Sequence, residues 1–255
     1  MIFDTHAHYD DEAFDIDRDE LLDSFPFSGI GMVVNVGASI ATSRNTVELT
    51  KRFPNVYGAV GVHPNEVGTM TAADMVQLRQ FAMEEKIVAI GEIGLDYYYR
   101  EPDKEIQKVW FIKQMELARE LKLPIIIHSR DAAQDTLDLM KQTYAEEIGG
   151  VVHCFSYSKE IAKEILDMNF YIGIGGVLTF KNAKKLKEAV MDIPLERIVL
   201  ETDCPYLSPE PNRGKRNSSL NLPYVAEQLA QIKGISYEEV VETTYNNAKA
   251  LYRIK

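Results

Sequence analysis

The chain has 255 residues, 45% hydrophobic and 26% charged, a profile that excludes disordered, fibrous and membrane-spanning proteins. Its net charge of −11 gives no global attraction for nucleic acid, so any polyanion must be met by local cationic patches and bound cations. Cys154 and Cys204 are too few for a disulfide framework and read as buried reduced thiols. The opening Met1-Ile2-Phe3-Asp4 lacks the basic and apolar regions of a signal peptide, and no apolar run is long enough for a membrane helix. The expectation is a cytoplasmic protein without membrane contact or an obligate protein partner.

Short β-branched, apolar runs recur at 2–8, 31–36, 57–62, 88–93, 124–128, 150–155, 170–175 and 198–202. Their spacing, roughly 25 to 35 residues, is that of βα units. Helical segments lie between them. The clearest is 103–121, where Ile106, Val109, Trp110, Lys113, Leu117 and Leu121 follow a 3.6-residue period after an acidic start. Others are expected at 71–85, which opens Thr-Ala-Ala-Asp like a capping box, at 158–168 and at 181–191. Two more come after the last strand, at 222–232 and 237–252. The second opens with Ser236 as N-cap and an acidic first turn.

Eight alternations in one chain of this length predict an α/β fold, a (β/α)8 TIM-type barrel with extra C-terminal helices. The first turn reads His-Ala-His-Tyr-Asp-Asp rather than G-x-G-x-x-G, which argues against a dinucleotide site. No linker, repeat or low-complexity tract interrupts the chain, so residues 1–255 are read as one domain.

A barrel concentrates function at the C-terminal ends of its strands. Every histidine of this chain falls at such an end: His6 and His8, His63, His128 and His153. Glu92 is among the last residues of the fourth strand, and Asp203 follows the eighth. Singly, each has a plain reading, such as a core-edge histidine or a helix-capping aspartate. Together, one rim collecting imidazoles and carboxylates needs a partner that neutralises and orients them. A metal centre accounts for His6, His8, Glu92, His128, His153 and Asp203 at once.

Two divalent cations are the expected partition. His6, His8 and Asp203 hold one, His128 and His153 the other, and Glu92 bridges. The cations share a water and lower its pKa toward neutrality, and Asp203 accepts a proton as the resulting metal-bound hydroxide attacks. Strand alternation places Asp4 on the face of His6 and His8, and Glu201 on that of Asp203 but deeper. Both are expected to orient a ligand. Four imidazoles favour zinc; the carboxylates also accept manganese or magnesium.

These residues carry a resemblance. The chain resembles the TatD-type metal-dependent deoxyribonucleases, within the amidohydrolase-like barrels, from end to end. The motifs are Asp4-Thr5-His6-Ala7-His8-Tyr9-Asp10, Gly61-Val62-His63-Pro64, Gly91-Glu92-Ile93-Gly94-Leu95-Asp96-Tyr97 and Ile127-His128-Ser129-Arg130-Asp131-Ala132. They continue with His153-Cys154-Phe155-Ser156, Glu201-Thr202-Asp203-Cys204-Pro205-Tyr206-Leu207 and Arg213-Gly214-Lys215-Arg216-Asn217. The resemblance implies a divalent-metal centre at the six residues above and hydrolysis of DNA phosphodiesters, typically as an exonuclease or a broad DNase in DNA repair or degradation. Where the family continues Asn-Glu-Pro, this chain has Asn217-Ser218-Ser219.

Phosphate pockets of barrels often lie in the loops after strands seven and eight. There the chain carries Lys181, Arg213, Lys215 and Arg216, with Arg130 entering from strand five. Arginine forks suit phosphate. His63 is expected to donate to a non-bridging phosphate oxygen or to the leaving group; its alternative is a supporting hydrogen bond beside Pro64. Tyr97, Tyr98 and Tyr99 either stack a base or pack their loop. The expected function is therefore phosphodiester hydrolysis, with DNA as substrate and His63, Glu92 and Asp203 as catalytic groups. One alternative is a hydrolase on the same scaffold that cleaves an amide, lactone or aminoacyl ester. A second is a metal-stabilised binding protein.

Overall fold

The computed structural model describes residues 1–255. Its strands are β1 (Ile2–Ala7), β2 (Ile30–Val36), β3 (Val56–Val60), β4 (Ile87–Asp96), β5 (Ile125–Arg130), β6 (Gly150–Val152), β7 (Tyr171–Ile174) and β8 (Ile198–Leu200). They pair in parallel, in sequence order. The seam between β8 and β1 is closed by a bridge from Cys204 to Ala7. Asp203 N donates to His6 O there at 2.9 Å, and His8 N to Cys204 O at 2.9 Å. The result is the expected TIM-type barrel.

The helices are α1 (Arg18–Ser24), α2 (Ile40–Arg52), α3 (Ala72–Phe81), α4 (Lys104–Leu121), α5 (Ala133–Gln142), α6 (Lys159–Asp167), α7 (Lys184–Asp192), α8 (Leu222–Lys233) and α9 (Tyr237–Tyr252). Three of them, α1, α2 and α5, go beyond the segments singled out by periodicity. A start signal for α2 is visible in retrospect: Ser39 and Thr42 form a capping box, with threonine in the place usually held by glutamate. No helix is long and apolar enough to cross a membrane.

Two apolar clusters form the core. The larger lies between the strands and the helices, with Phe14, Phe25, Phe111 and Phe170 among its buried members. The smaller joins Phe3, Val34, Ala59, Ala89, Ile126, Val151 and Val199 to Leu251 and Tyr252 of α9. Residues from so many strands can meet only in the barrel lumen, so α9 caps its lower end. Tyr252 Oη fixes that cap by donating to Thr5 O at 2.7 Å.

Two breaks in strand register position the site. Between Asp4 and Ala7, β1 advances by three residues while β2 advances by two. Between Ile90 and Ile93, β4 does the same against β5. Such a bulge inserts an unpaired residue and re-aims a side chain. His6 lies in the first bulge and Glu92 in the second. The expectation that Asp4 shares the face of His6 and His8 is therefore corrected, because the bulge ends the alternation on which it rests. The Asp4 carboxylate instead accepts from Thr202 Oγ1 at 2.7 Å, Ser219 Oγ at 2.6 Å and Thr202 N at 3.0 Å. It latches the barrel seam. Glu92 sits within β4, as the expected run at 88–93 has it, and β4 stays paired with β5 beyond Ile93, as far as Asp96 and Arg130. Cys204 is buried, as expected; Cys154 is half-buried.

Candidate metal centre

The C-terminal mouth gathers all five histidines with Glu92 and Asp203. His6 Nε2 lies 3.1 Å from His8 Nε2. Asp203 Oδ1 approaches His8 Nε2 at 3.3 Å and His6 Nε2 at 3.7 Å. Asp203 has φ 56°, in the left-handed region that aspartate tolerates better than most residues. On the other side, His128 Nδ1 and His153 Nε2 each lie 2.7 Å from Glu92 Oε1. Glu92 Oε2 turns to the first group, 3.4 Å from His6 Nε2. One carboxylate thus offers a separate oxygen to each pair of imidazoles.

Behind the rings lies Glu201. His6 and His153 stack with centroids 3.9 Å apart. His6 Nδ1, His153 Nδ1 and Glu201 Oε2 are buried without hydrogen-bond partners. Glu201 Oε1 is 4.0 Å from His153 Nδ1 and accepts from Cys154 N. Gly173 makes room for this carboxylate, because a Cβ there would lie 2.3 Å from Glu201 Oε2.

The electrostatics are those of a site organised around charge. Burial would raise the Glu92 carboxyl, but the fields of His153 and His63 and bonds from His128 and His153 hold it well below its usual range. Burial lowers His8, yet Asp203 and Glu92 outweigh it and lift its pKa to about 10. Burial is likewise outweighed at His128 by Asp96 and Glu92, which lift it to about 9. His6, buried and close to His153, falls to about 4. Burial pushes Glu201 up to about 8.

The donor set fits divalent cations. Imidazole nitrogens face one another at 3.1 Å and, between His128 and His153, at 3.2 Å. Lone pairs so close repel unless a proton or a cation lies between them. His6, His8 and Asp203 are grouped with ligating atoms within 4.8 Å, as are His63, Glu92 and His128.

The remaining expected residues divide. His63 joins the mouth, its Nε2 3.6 Å from Glu92 Oε1. Arg130 ends β5 and lays its guanidinium over the Tyr98 ring, 3.8 Å from the centroid. Tyr98 and Tyr99 are exposed, whereas Tyr97 packs inward and donates to Asp135 Oδ2 at 2.6 Å. Arg216 forms a bidentate pair with Asp17 at 2.5 and 2.7 Å, binding the loop after β8 to the segment after β1. Arg213 lies over Phe180, and Lys215 is exposed. In the Asn217-Ser218-Ser219 stretch, Asn217 Nδ2 donates to Thr202 O and Tyr206 O, and Ser219 reaches Asp4.

Sequence reasoning missed Asp96. It is buried, and its Oδ2 lies 3.3 Å from His128 Nε2. The signals available were its place in the Gly91-to-Tyr97 motif and its spacing, four residues beyond Glu92 on a strand longer than expected.

A parallel barrel whose C-terminal mouth holds imidazoles around a shared carboxylate defines a metal-dependent hydrolase. The family described as TatD related DNase matches residues 3–253, and the chain belongs to that family. It is 45% identical over 254 residues, and over the full length of both chains, to a Bacillus subtilis protein named uncharacterized metal-dependent hydrolase YabD. It is 32% identical over 257 residues to the 3'-5' ssDNA/RNA exonuclease TatD of Cronobacter sakazakii, covering 98% of this chain and 97% of that one. The crystal structure of the TatD homologue YjjV from Escherichia coli K12 superposes with a TM-score of 0.94 at 28% identity, covering 100% of this chain and 98% of that one.

Proposed function

We propose that the protein is a deoxyribonuclease that hydrolyses DNA phosphodiesters from a strand end, using two divalent cations. The observation that carries this reading is the divided Glu92 carboxylate, with Oε1 2.7 Å from His128 and His153 and Oε2 3.4 Å from His6. His6, His8 and Asp203 would hold one cation and His128 and His153 the other, with Glu92 shared. When bound, such a pair supplies an acidified water and neutralises charge on the phosphoryl group. Zinc, manganese and magnesium all suit this mixed donor set.

The chain supplies the rest. Asp203 Oδ1, on the open side of His8, accepts the proton that the attacking water gives up. His63 faces the same space from the β3 side. Arg130 and, from the loop after β8, Arg213 and Lys215 supply positive charge for the phosphates on either side of the scissile bond, and Arg216 would join them on leaving Asp17. Glu201 lies behind the rings, its Oε1 4.0 Å from His153 Nδ1, and would orient them on taking up hydrogen bonds to their Nδ1 atoms. The Arg216–Asp17 pair ties the loop after β8 to the segment after β1. The relative named as an ssDNA/RNA exonuclease supports the same substrate class.

The test uses purified protein, magnesium, manganese or zinc, and short DNA labelled at either end. The expected result is metal-dependent shortening from one end, abolished in His128→Ala and Asp203→Ala. Absence of cleavage, or equal cleavage by both variants, overturns the reading. Turnover of an amide, lactone or aminoacyl ester in place of DNA would assign the scaffold to that chemistry instead.

A further inference from the structure

Each imidazole at the mouth has a second ring nitrogen that faces away from it. What that second nitrogen touches decides which nitrogen holds the hydrogen. A carbonyl or carboxylate oxygen only accepts, so a ring nitrogen against one is protonated. A backbone amide only donates, so a ring nitrogen against one is bare.

His8 Nδ1 lies 2.8 Å from Val36 O. That nitrogen carries hydrogen, and the neutral ring turns a lone pair on Nε2 toward the mouth. His128 is the mirror case. Its Nε2 lies 3.3 Å from Asp96 Oδ2 and holds hydrogen there, while its Nδ1 faces Glu92 Oε1 at 2.7 Å, where a cation would take the place of the proton between them. Asp96 is itself fixed, accepting from Tyr98 N at 2.9 Å and from Asn65 Nδ2 at 3.4 Å. Both rings are set up as cation ligands.

His63 is set up the other way. Asn65 N donates to His63 Nδ1 at 3.1 Å. The amide keeps this ring neutral, because a charged imidazole has no lone pair with which to accept. The hydrogen must then lie on Nε2, the nitrogen nearest Glu92 Oε1 at 3.6 Å. Distance alone groups His63 with Glu92 and His128 as a ligand set. The direction of the hydrogen removes it from that set.

We propose that His63 is a fixed hydrogen-bond donor to substrate rather than a cation ligand, with its proton placed by the Asn65 amide. Its target is the oxygen that gains negative charge during the reaction. If the substrate is a phosphodiester, the reading on which the identity of this oxygen rests, it is a non-bridging phosphoryl oxygen. A neutral donor whose hydrogen is already fixed on the nitrogen facing the mouth needs no reorganisation as charge develops.

Two measurements test this. The first is a long-range proton–nitrogen correlation spectrum of the wild-type protein labelled with ¹⁵N-histidine, recorded without metal. It should show His63 bare at Nδ1 and protonated at Nε2. A His63 ring protonated at Nδ1 overturns the proposal. The second is Mn²⁺ or Zn²⁺ binding to His63→Ala and His63→Gln by equilibrium dialysis and elemental analysis. Both variants should hold as many ions as wild type at near-wild-type affinity, whereas losing a ligand or its support costs about 10–100-fold. Loss of one ion in either variant overturns the proposal. With DNA as substrate, His63→Ala should lower kcat by about 10²-fold with KM little changed, and the amide donor of His63→Gln should restore part of it. If wild type fails to cleave DNA, the phosphodiester reading falls, while the spectrum and the metal content still decide the role of His63.

Discussion

His128, His153 and Glu92 belong to three consecutive strands or their ends, joined by parallel ladders from β4 through β5 to β6, with one bulge at Glu92. His6, His8 and Asp203 meet across the seam, where one bridge and a few hydrogen bonds connect β1 to the segment after β8. The first group is placed by its immediate neighbours. The second is only as well placed as the barrel is closed. The two halves of one centre should therefore differ in how firmly they hold a cation and in how they fail.

The largest effect should come from removing what the halves share. Glu92→Ala leaves each imidazole pair without its carboxylate and should lose both ions. Activity should fall by about 10³-fold, matching the several kcal/mol a metal centre contributes. Elemental analysis after dialysis checks this; a variant that retains one ion would show that Glu92 serves one half only.

pH should act through both halves. In the metal-free protein His8 titrates near 10 and His128 near 9, so both carry a proton at neutral pH that a cation must displace. Metal affinity should rise with pH up to about 9, by about tenfold per unit for each proton released. Calorimetry in buffers of different ionisation enthalpy counts those protons. The same two rings stabilise the metal-free fold below their unfolded value of 6.5, and that contribution is lost as pH rises through 9 to 10. Affinity independent of pH between 6 and 9 would contradict the assignment.

The smallest effect separates the halves. Asp4→Ala strands the donors of Thr202 and Ser219 at the seam and should cost about 2–4 kcal/mol in urea unfolding. Binding of the ion between His6, His8 and Asp203 should weaken, while binding at His128 and His153 stays unchanged. Equal weakening of both would show that the seam does not distinguish them.

The alternation of apolar runs made the barrel legible, and the clustering of all five histidines at strand ends made the mouth legible. The bulges were not, because register depends on how far a neighbouring strand advances, which a single sequence does not encode locally. That is why Asp4 was placed with the histidines although it serves the seam. Asp96 escaped for a related reason: β4 reads as ending near Ile93, and only its pairing with β5 carries it on to Asp96. The orientation of the His63 ring depends on a backbone amide two residues away, and no side-chain pattern records that. Arg216 was legible as a cation, but not as one already paired with Asp17.

The bond from Tyr252 to Thr5 joins residues 247 positions apart. During synthesis at about 5–20 residues per second, the first strand waits at least ten seconds or so for the helix that seals the floor beneath it. His6 and His8 are made well before Asp203 and that floor. Between those points the chain holds half a centre and an apolar strand without a second neighbour, and contacts this distant are slow to form. A nascent chain cut short before its last helix should thus be a substrate for chaperones and proteases before it is ever an enzyme.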